Sequence, residues 1–288
     1  MNITILGGTG LVGSALQQQL STQHRVTVFG RQVFRSPKTV MEAIADAELV
    51  IQLAGANIGA RWNAIYKQEI WDSRIESTKM LGQALQKLDK TPRIICASAI
   101  GFYPQADDCS RHYSEDHTQA GDDFLAKLSV AWEAEAQNLV DDEKLVITRF
   151  GVVLSKQGGA LAKMLPAFKF GLGGPVAGGQ QCFSWIDIDD LSHAMQFIIE
   201  RPELRGIFNL SAPNPLPQKQ FANLLGKTLN RPTFMPLPLW QLKLMFGEGA
   251  QVLTHSSSVY PQRLLELGFE FRFADAESSL RHLLIDLQ

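Results

Sequence analysis

Residues 3–13 read Ile3-Thr4-Ile5-Leu6-Gly7-Gly8-Thr9-Gly10-Leu11-Val12-Gly13, an apolar run that passes directly into a glycine-rich turn. Glycines spaced in this way allow a tight turn, close approach of the backbone to a phosphate, and close packing of the next helix. A glycine-rich turn without a ligand would show the same spacing. The residues that follow favour a dinucleotide, because a helical pattern over 15–20 and a second apolar strand complete a βαβ unit of about 30 residues. The predicted pyrophosphate-binding residues are Gly7, Thr9, Gly10, Leu11, Val12 and Gly13.

Strand-like apolar runs alternate with helical patterns along the first two thirds of the chain. Alternation of this kind predicts an α/β fold, a Rossmann-like doubly wound parallel sheet. Helical periodicity is clearest in Ile65–Leu88 and Phe124–Val140. The predicted strands are Ile3–Leu6, Val26–Phe29, Leu49–Ala54, Arg93–Ser98, Leu145–Val153 and Gly206–Leu210.

The composition of the chain changes after Ser155. Glycines and a proline punctuate residues 156–182, which we predict to be a loop on the substrate side of the sheet. Prolines and short helical patterns follow from about residue 211. We therefore predict an NAD(P)-binding domain over residues 1–210 and a smaller, mainly helical C-terminal cap, the substrate domain, over residues 211–288.

Overall composition restricts the function classes. The chain has 288 residues, 45% hydrophobic and 19% charged, with a net charge of −2, as in an ordinary globular protein. This charge predicts neither a nucleic-acid nor a membrane partner. The three cysteines form no CxxC pair, and the six histidines show no metal-ligand spacing. We predict free thiols, no metal, a cytoplasmic location, and a monomer or homodimer.

Several further motifs carry a family resemblance: Leu53-Ala54-Gly55-Ala56, Ser98-Ala99-Ile100-Gly101-Phe102-Tyr103, Arg149-Phe150-Gly151-Val152-Val153-Leu154, Ser184-Trp185-Ile186 and Arg263-Leu264-Leu265. With the glycine fingerprint they resemble the extended short-chain dehydrogenase/reductases. More narrowly, they resemble the atypical epimerase family, of the NAD-dependent epimerase/dehydratase superfamily, with a C-terminal domain of unknown function. The resemblance implies a Rossmann fold, a nicotinamide dinucleotide and a pocket between sheet and cap. It adds Leu53, Ala54, Gly55 and Arg149 to the predicted cofactor-binding residues and supplies no substrate.

The end of the second strand distinguishes NAD from NADP. A carboxylate there would bind the ribose 2′-hydroxyl, whereas an arginine would accept a 2′-phosphate. Phe29-Gly30-Arg31 offers no carboxylate, and Arg35 lies close in sequence. We predict NADP (NADPH) with Arg31 as a binding residue, the alternative being a merely solvated loop arginine.

The catalytic residues are harder to predict. The superfamily resemblance implies a serine and a Tyr-xxx-Lys pair. Ser98 matches the serine, but Leu125 and Ser129 stand at the tyrosine and lysine positions. Ser98 and Tyr103 are therefore the predicted catalytic residues, with a structural role for Tyr103 as the alternative.

Other polar and aromatic residues remain candidates, each with a structural alternative. Glu115-Asp116 could be an acid/base pair; Arg61, Arg74 and Arg149 could bind an anion; Trp62, Phe183 and Trp185 could line a pocket. The predicted function is an NADP-binding oxidoreductase or epimerase acting on a nucleotide sugar or another small anionic metabolite. The alternative is a non-catalytic NADP(H) sensor, since Tyr-xxx-Lys is absent.

Overall fold

The computed structural model describes residues 1–106 and 108–286 of the chain. Within these residues, six parallel strands form one sheet in the order β2-β1-β3-β4-β5-β9. These six are the strands that the sequence predicts, with ends shifted by a few residues. The strands are β1 (Asn2–Leu6), β2 (Arg25–Phe29), β3 (Leu49–Gln52), β4 (Arg93–Ala99), β5 (Leu145–Phe150), β6 (Val152–Ser155), β7 (Cys182–Phe183), β8 (Trp185–Asp187), β9 (Gly206–Leu210) and β10 (Leu216–Pro217).

Helices cover both faces of this sheet, as doubly wound topology requires. The helices are α1 (Leu11–Leu20), α2 (Pro37–Ile44), α3 (Ala64–Leu85), α4 (Phe124–Gln137), α5 (Gly159–Lys169), α6 (Ile188–Ile199), α7 (Gln218–Thr228), α8 (Leu239–Phe246), α9 (Ala250–Thr254), α10 (Gln262–Glu266) and α11 (Ala276–Arg281). Helices α1 and α6 pack on one apolar cluster of the sheet, and α2, α3 and α4 contribute to the cluster on the other face. None of the helices in the described ranges has the length and hydropathy of a membrane span.

The strand order reverses beside β1. The chain goes from β1 to β2 on one side and then crosses to β3 on the other. In open α/β sheets, ligands bind at the carboxyl ends of the strands where the order reverses in this way. The topology therefore predicts a ligand site at the segments that follow Leu6 and Gln52.

Two predicted segments differ in the structure. The run Leu145–Val153 is not one strand: it breaks at Gly151, and β6 leaves the main sheet to pair with β8. The segment 156–182 is not a loop throughout, because helix α5 fills much of it despite Pro166. Leu161, Leu165 and Phe168 bury the apolar stripe of α5 against the C-terminal part, and this packing outweighs the glycine-rich flanks.

The C-terminal part packs on the sheet domain mainly through helices. Helices α7 and α11 share an apolar cluster with α5 and β8. Residues 287–288 of the predicted 211–288 unit lie outside the described residues. Whether 1–210 and 211–288 act as separate domains stays a prediction.

Side chains occupy the outer edge of β9. Glu115 accepts a hydrogen bond from the backbone N–H of Asn209 at 2.8 Å, through Oε1. The Arg263 guanidinium donates to the carbonyl oxygens of Ile207 (2.5 Å) and Arg205 (2.8 Å). These groups take the hydrogen-bonding positions that a neighbouring strand would use.

The expectation of three free thiols is wrong in this structure. Cys109 and Cys182 form a disulfide with a Cα–Cα distance of 5.2 Å, and Cys96 is free and buried. The two bonded cysteines lie 73 residues apart. Their spacing carries no signal because the fold, rather than the local sequence, brings them together.

Candidate functional site

The glycine-rich turn joins β1 to α1 as the sequence predicts. Gly7 has a φ of +74°, and a Cβ there would lie 2.5 Å from the Cα of Ala54. A Cβ at Gly13 would lie 2.2 Å from the carbonyl oxygen of Gly8, so Gly13 allows the helix to pack on the turn. A Cβ at Gly10 would meet no atom within 4 Å. Gly10 thus faces open space, whereas Gly7 and Gly13 are required by the backbone itself.

An open cleft of about 930 Å³ lies beside this turn. Of the predicted cofactor-binding residues, Gly7, Thr9, Gly10, Arg31, Ala54 and Gly55 line it. Gly10 is the N-cap of α1 and brings no capping side chain, so the first N–H groups of the helix remain available to an anion. Leu11 instead packs near Gly158, and Val12 and Leu53 join apolar clusters.

Arg31 reaches the cleft from the end of β2. Its side chain is 83% exposed, and Nη1 lies 3.7 Å from Oε1 of Glu69. An ion pair this exposed is weak, contributing about 0–1 kcal/mol. The guanidinium can therefore exchange Glu69 for a phosphate at little cost. Arg35 is also exposed but does not line the cleft.

Two residues of α3 hold the opposite wall of the cleft, the segment 54–57 that follows β3. Ser73 Oγ accepts a hydrogen bond from the N–H of Ala56 at 2.8 Å, and the Arg74 guanidinium donates to the Ala56 carbonyl at 3.2 Å. Burial lowers the pKa of Arg74 to about 10. Arg74 is thus committed to this backbone segment.

A buried cluster lies at the end of β4. Ser98 donates a hydrogen bond from Oγ to Oε1 of Glu133 at 2.5 Å. Arg149 donates from Nε to the same oxygen at 2.8 Å and from Nη2 to Oε2 at 2.7 Å. The guanidinium also stacks on the Phe102 ring at 3.5 Å from its centroid. Arg149 is therefore occupied by Glu133 and does not line the cleft assigned to the cofactor.

Tyr103 is fully buried, and its side chain points toward β9. Its hydroxyl donates to Oδ1 of Asn209 on β9 at 2.8 Å, and its ring stacks on Tyr113. Burial raises the pKa of this phenol. Ser98 and Tyr103 thus donate their protons to acceptors on different elements, α4 and β9. Arg149 lies between them, because its guanidinium binds Glu133 and is also 4.9 Å from the centroid of the Tyr103 ring.

The remaining candidates are also dispersed. Glu115 lies at the β9 edge, where burial raises its pKa, three strands away from β3. Arg61 donates from Nη1 to the carbonyl of Leu244 at 2.5 Å, so the three arginines do not converge on one anion. Trp62 and Trp185 are buried in the core, and Phe183 packs against Phe221.

Sequence reasoning missed the side of the cleft formed by α3. The helix contributes Ile65 and a group of polar residues at helical spacing over 68–73, a pattern that is visible in the sequence once the strand Leu49–Gln52 is placed before it. Because amphipathic helices expose such stripes routinely, spacing alone does not mark one as a binding surface. The missed lining residues are Phe34, Ala56, Asn57, Ile65, Gln68, Glu69, Asp72 and Ser73.

Asp187, Asp189 and His282 lie together at the start of α6, with candidate ligand atoms within 4.8 Å of one another. Each already has a partner. Asp187 caps α6 and accepts from Ser279 at 2.6 Å, and His282 Nε2 lies 2.8 Å from Oδ2 of Asp189. The arrangement is explained by the packing of α11 on α6, and the absence of a metal stays a prediction.

Two family models together cover most of the chain. Residues 3–211 match the sequence model of the NAD dependent epimerase/dehydratase family, and residues 237–283 match a domain of unknown function, DUF1731. The chain belongs to the NAD dependent epimerase/dehydratase family. The predicted resemblance and the Rossmann-like fold are both confirmed.

Relatives within this family span nearly the whole chain. The human epimerase family protein SDR39U1 is 33% identical over 293 residues, covering 98% of this chain and 99% of the relative. A homologue from Arabidopsis thaliana, named as chloroplastic, is 33% identical and covers 99% of this chain and 87% of the relative. The crystal structure of human SDR39U1 with NADPH superposes with a TM-score of 0.89 at 32% identity, covering 98% of this chain and 99% of that one.

Proposed function

We propose that this chain binds NADPH in the cleft at the carboxyl ends of β1 and β3 and acts as an oxidoreductase or epimerase on a small anionic substrate. One observation supports the proposal most directly: the open N-terminus of α1 at Gly10 and the exposed guanidinium of Arg31 line the same cleft. The first suits a pyrophosphate, and the second suits a 2′-phosphate. The NADPH in the human relative agrees with this assignment.

The residues fit a phosphorylated dinucleotide in three respects. Space beside Gly10 lets phosphate oxygens approach the backbone, and Thr9 adds a hydroxyl at the same turn. Arg31 exchanges a weak, exposed ion pair for a charge-assisted contact. Ser73 and Arg74 fix the backbone of the facing wall.

When bound, NADPH would supply a hydride, and its oxidised form NADP+ would accept one. Ser98 is buried and, like Arg149, does not line the cleft itself, but it lies at the carboxyl end of β4, the strand next to β3. We assign to Ser98 the orientation of a substrate oxygen that reaches this strand end. Because its own proton is donated to Glu133, Ser98 Oγ keeps acceptor capacity for a substrate hydroxyl. A proton leaving that hydroxyl can pass through Ser98 to the Glu133 carboxylate, and the reverse transfer returns it. Tyr103 is not retained as the acid, since its hydroxyl is bonded to Asn209.

The cofactor assignment is tested by calorimetry with NADPH and NADH. One charge-assisted contact to the 2′-phosphate contributes about 1.5–3 kcal/mol, so NADPH should bind about 10- to 150-fold more tightly. Arg31→Ala should remove most of this preference without changing NADH affinity. Arg35→Ala is the matched control, an exposed arginine of the same segment outside the cleft, and should leave both affinities unchanged. Equal affinities of the wild type for the two cofactors would overturn the assignment.

A non-catalytic NADPH sensor is the second candidate. Its support is that the hydroxyl protons of Ser98 and Tyr103 are both donated to acceptors within the protein. Two assays with a panel of anionic carbonyl and sugar compounds distinguish the two: net NADPH oxidation detects an oxidoreductase, and product analysis detects an epimerase, which leaves the cofactor unchanged overall. An enzyme should turn over at least one compound, and Ser98→Ala should lower that rate by about 10²–10⁴-fold with NADPH affinity unchanged. A sensor should bind NADPH and turn over none.

A further inference from the structure

The charges of the chain are unevenly distributed. No Asp or Glu occurs between Glu143 and Asp187, or between Glu203 and Glu248, although the whole chain has 29 acidic residues and a net charge of −2. Both acid-free stretches contain lysines and arginines. Because these stretches lack acidic residues, each carries a net positive charge that the value for the whole chain conceals.

The fold brings these two stretches side by side. Arg231 donates from Nε to the carbonyl of Lys169, the last residue of α5, at 2.9 Å. A few residues later, Val176 and Leu237 are joined as in a parallel bridge, with hydrogen bonds of 2.9 Å on either side. Helix α8 begins immediately beyond, at Leu239. The stretch after α5 and the segment leading into α8 thus form one surface.

Large apolar side chains project from this surface instead of packing into the core. Phe170 is 80% exposed, Phe234 71%, and Trp240 and Leu244, one helical turn apart on α8, are each 65% exposed. Single exposed apolar residues are normal on a globular protein, whereas several large ones on adjoining segments indicate an interaction surface. We call it the basic apolar face, defined by Phe170, Leu172, Phe234, Met235, Trp240 and Leu244 with Lys169, Arg231 and Lys243.

The cations of the face have no acidic partners. Lys169, Arg231 and Lys243 are exposed, and none forms an ion pair within the part of the chain that the structure describes. Lys227, which precedes Arg231 in the second acid-free stretch, is instead paired with Glu277 at 2.9 Å. The apolar side chains are thus flanked by uncompensated positive charge.

We propose that the basic apolar face docks the protein on an anionic lipid surface, in place of the prediction of no membrane partner that the net charge alone gives. Projecting aromatic and aliphatic side chains enter the boundary between headgroups and acyl chains, and lysines and arginines at the same level contact anionic headgroups. Trp240 suits this boundary because an indole ring has an apolar body and a polar N–H. A second copy of the chain is a poorer occupant, since two such faces would bring like charges together.

Docking would also orient the candidate site. The Arg61 side chain donates to the carbonyl of Leu244, and the backbone N–H of Trp62 donates to the carbonyl of Phe246 at 2.9 Å. The segment that contains Arg61 follows Asn57, a residue lining the cleft. The face therefore adjoins one rim of the cleft, and docking places that rim near the lipid.

Vesicle co-sedimentation of the full chain tests the proposal. We expect the protein to pellet with vesicles of phosphatidylcholine and phosphatidylserine in equal amounts, to pellet far less with phosphatidylcholine alone, and to be released by high salt. The double variant Phe170→Ser/Phe234→Ser and the charge variant Lys169→Gln/Arg231→Gln should each weaken binding at least tenfold. NADPH affinity, measured on the same samples, should be unchanged and serves as the test of folding.

Matched controls lie elsewhere on the surface. Leu267→Ser changes an exposed apolar residue, and Lys38→Gln changes an exposed lysine, both outside the face; each should bind vesicles like the wild type. The proposal is wrong if the wild type ignores anionic vesicles or if the face variants pellet as it does. It is also wrong if the face variants instead abolish dimerisation in sedimentation equilibrium, or if they abolish binding to a polyglutamate peptide while vesicles do not bind.

Discussion

Gly10 and Gly13 stand three residues apart in one turn, yet a side chain at each would have opposite consequences. At position 10 it would enter open space at the N-terminus of α1, and at position 13 it would collide with the backbone of Gly8. The first glycine therefore leaves room for a ligand, whereas the second permits the packing of helix on strand.

We expect Gly10→Val to abolish NADPH binding while changing the urea midpoint of unfolding little, because the added side chain meets only solvent or cofactor. Gly13→Val should instead lower the midpoint strongly or prevent folding, because the helix must move away from the turn. Calorimetry and urea unfolding of both variants check this pair. Retained NADPH affinity in Gly10→Val would show that the phosphates lie elsewhere.

Ser98 shows how far the sequence can locate a functional side chain. Its place at the end of a central strand follows from the strand pattern, and the absence of Tyr-xxx-Lys follows from Leu125 and Ser129. Its partner does not: Glu133 lies 35 residues away, on the buried side of α4. The pairing of the buried Glu133 carboxylate with an arginine arises from tertiary structure and is not visible in the local sequence. The same holds for the hydrogen bond between Tyr103 and Asn209, because of which Tyr103 is not part of the proposed chemistry.

At the scale of elements, helix α6 begins at a carboxylate that is both buried and shared. Asp187 caps the helix, accepts from Ser279 on α11, and lies near Asp189 and His282. Burial, the main cause, raises the pKa of Asp187 from 3.8 to about 6, and Asp189 adds to the rise. The contact between α6 and α11 thus depends on a group that titrates in mildly acidic solution.

The stability of the protein should depend on pH through this group. Well below pH 4, Asp187 is protonated in both the folded and the unfolded protein. Between about pH 4 and 6 it is still protonated in the folded protein but ionised in the unfolded chain. The free energy of unfolding therefore falls as the pH rises through this window, by about 2–3 kcal/mol at most. Asp187→Asn, which keeps a capping side chain, should lack this contribution. Urea unfolding of both proteins at pH 4 and 7 should show the variant gaining relative to the wild type, and a constant difference would contradict the expectation.

The predicted strands and the missed helix have one explanation. The six strands of the main sheet are short apolar runs. They can be recognised from the local sequence because both faces of a parallel strand are buried. Helix α5 is flanked by Gly158 and Phe170-Gly171 and contains Pro166, so local signals oppose it. It forms because Leu161, Leu165 and Phe168 find an apolar surface supplied by residues beyond 185.

At the scale of the whole molecule, the disulfide joins a loop after β4 to the start of β7. It closes 73 residues of chain, for which the usual stabilisation is about 2–4 kcal/mol. We expect dithiothreitol to lower the urea midpoint of the wild type but not that of Cys182→Ser. Alkylation of unreduced, unfolded protein should modify Cys96 alone. Modification of all three cysteines would mean that the bond is absent.

The cover on β9 has a consequence for assembly. Open strand edges accept strands from other molecules, and an uncovered edge is a common start of aggregation. Here Arg263, from the C-terminal part, occupies the carbonyl groups of Arg205 and Ile207. A chain ending near residue 211 would contain every strand of the main sheet but would lack Arg263, so the two carbonyl groups at this edge would lose their hydrogen-bond donor. We therefore expect the C-terminal part to protect this edge of the sheet against strand addition by other copies of the chain.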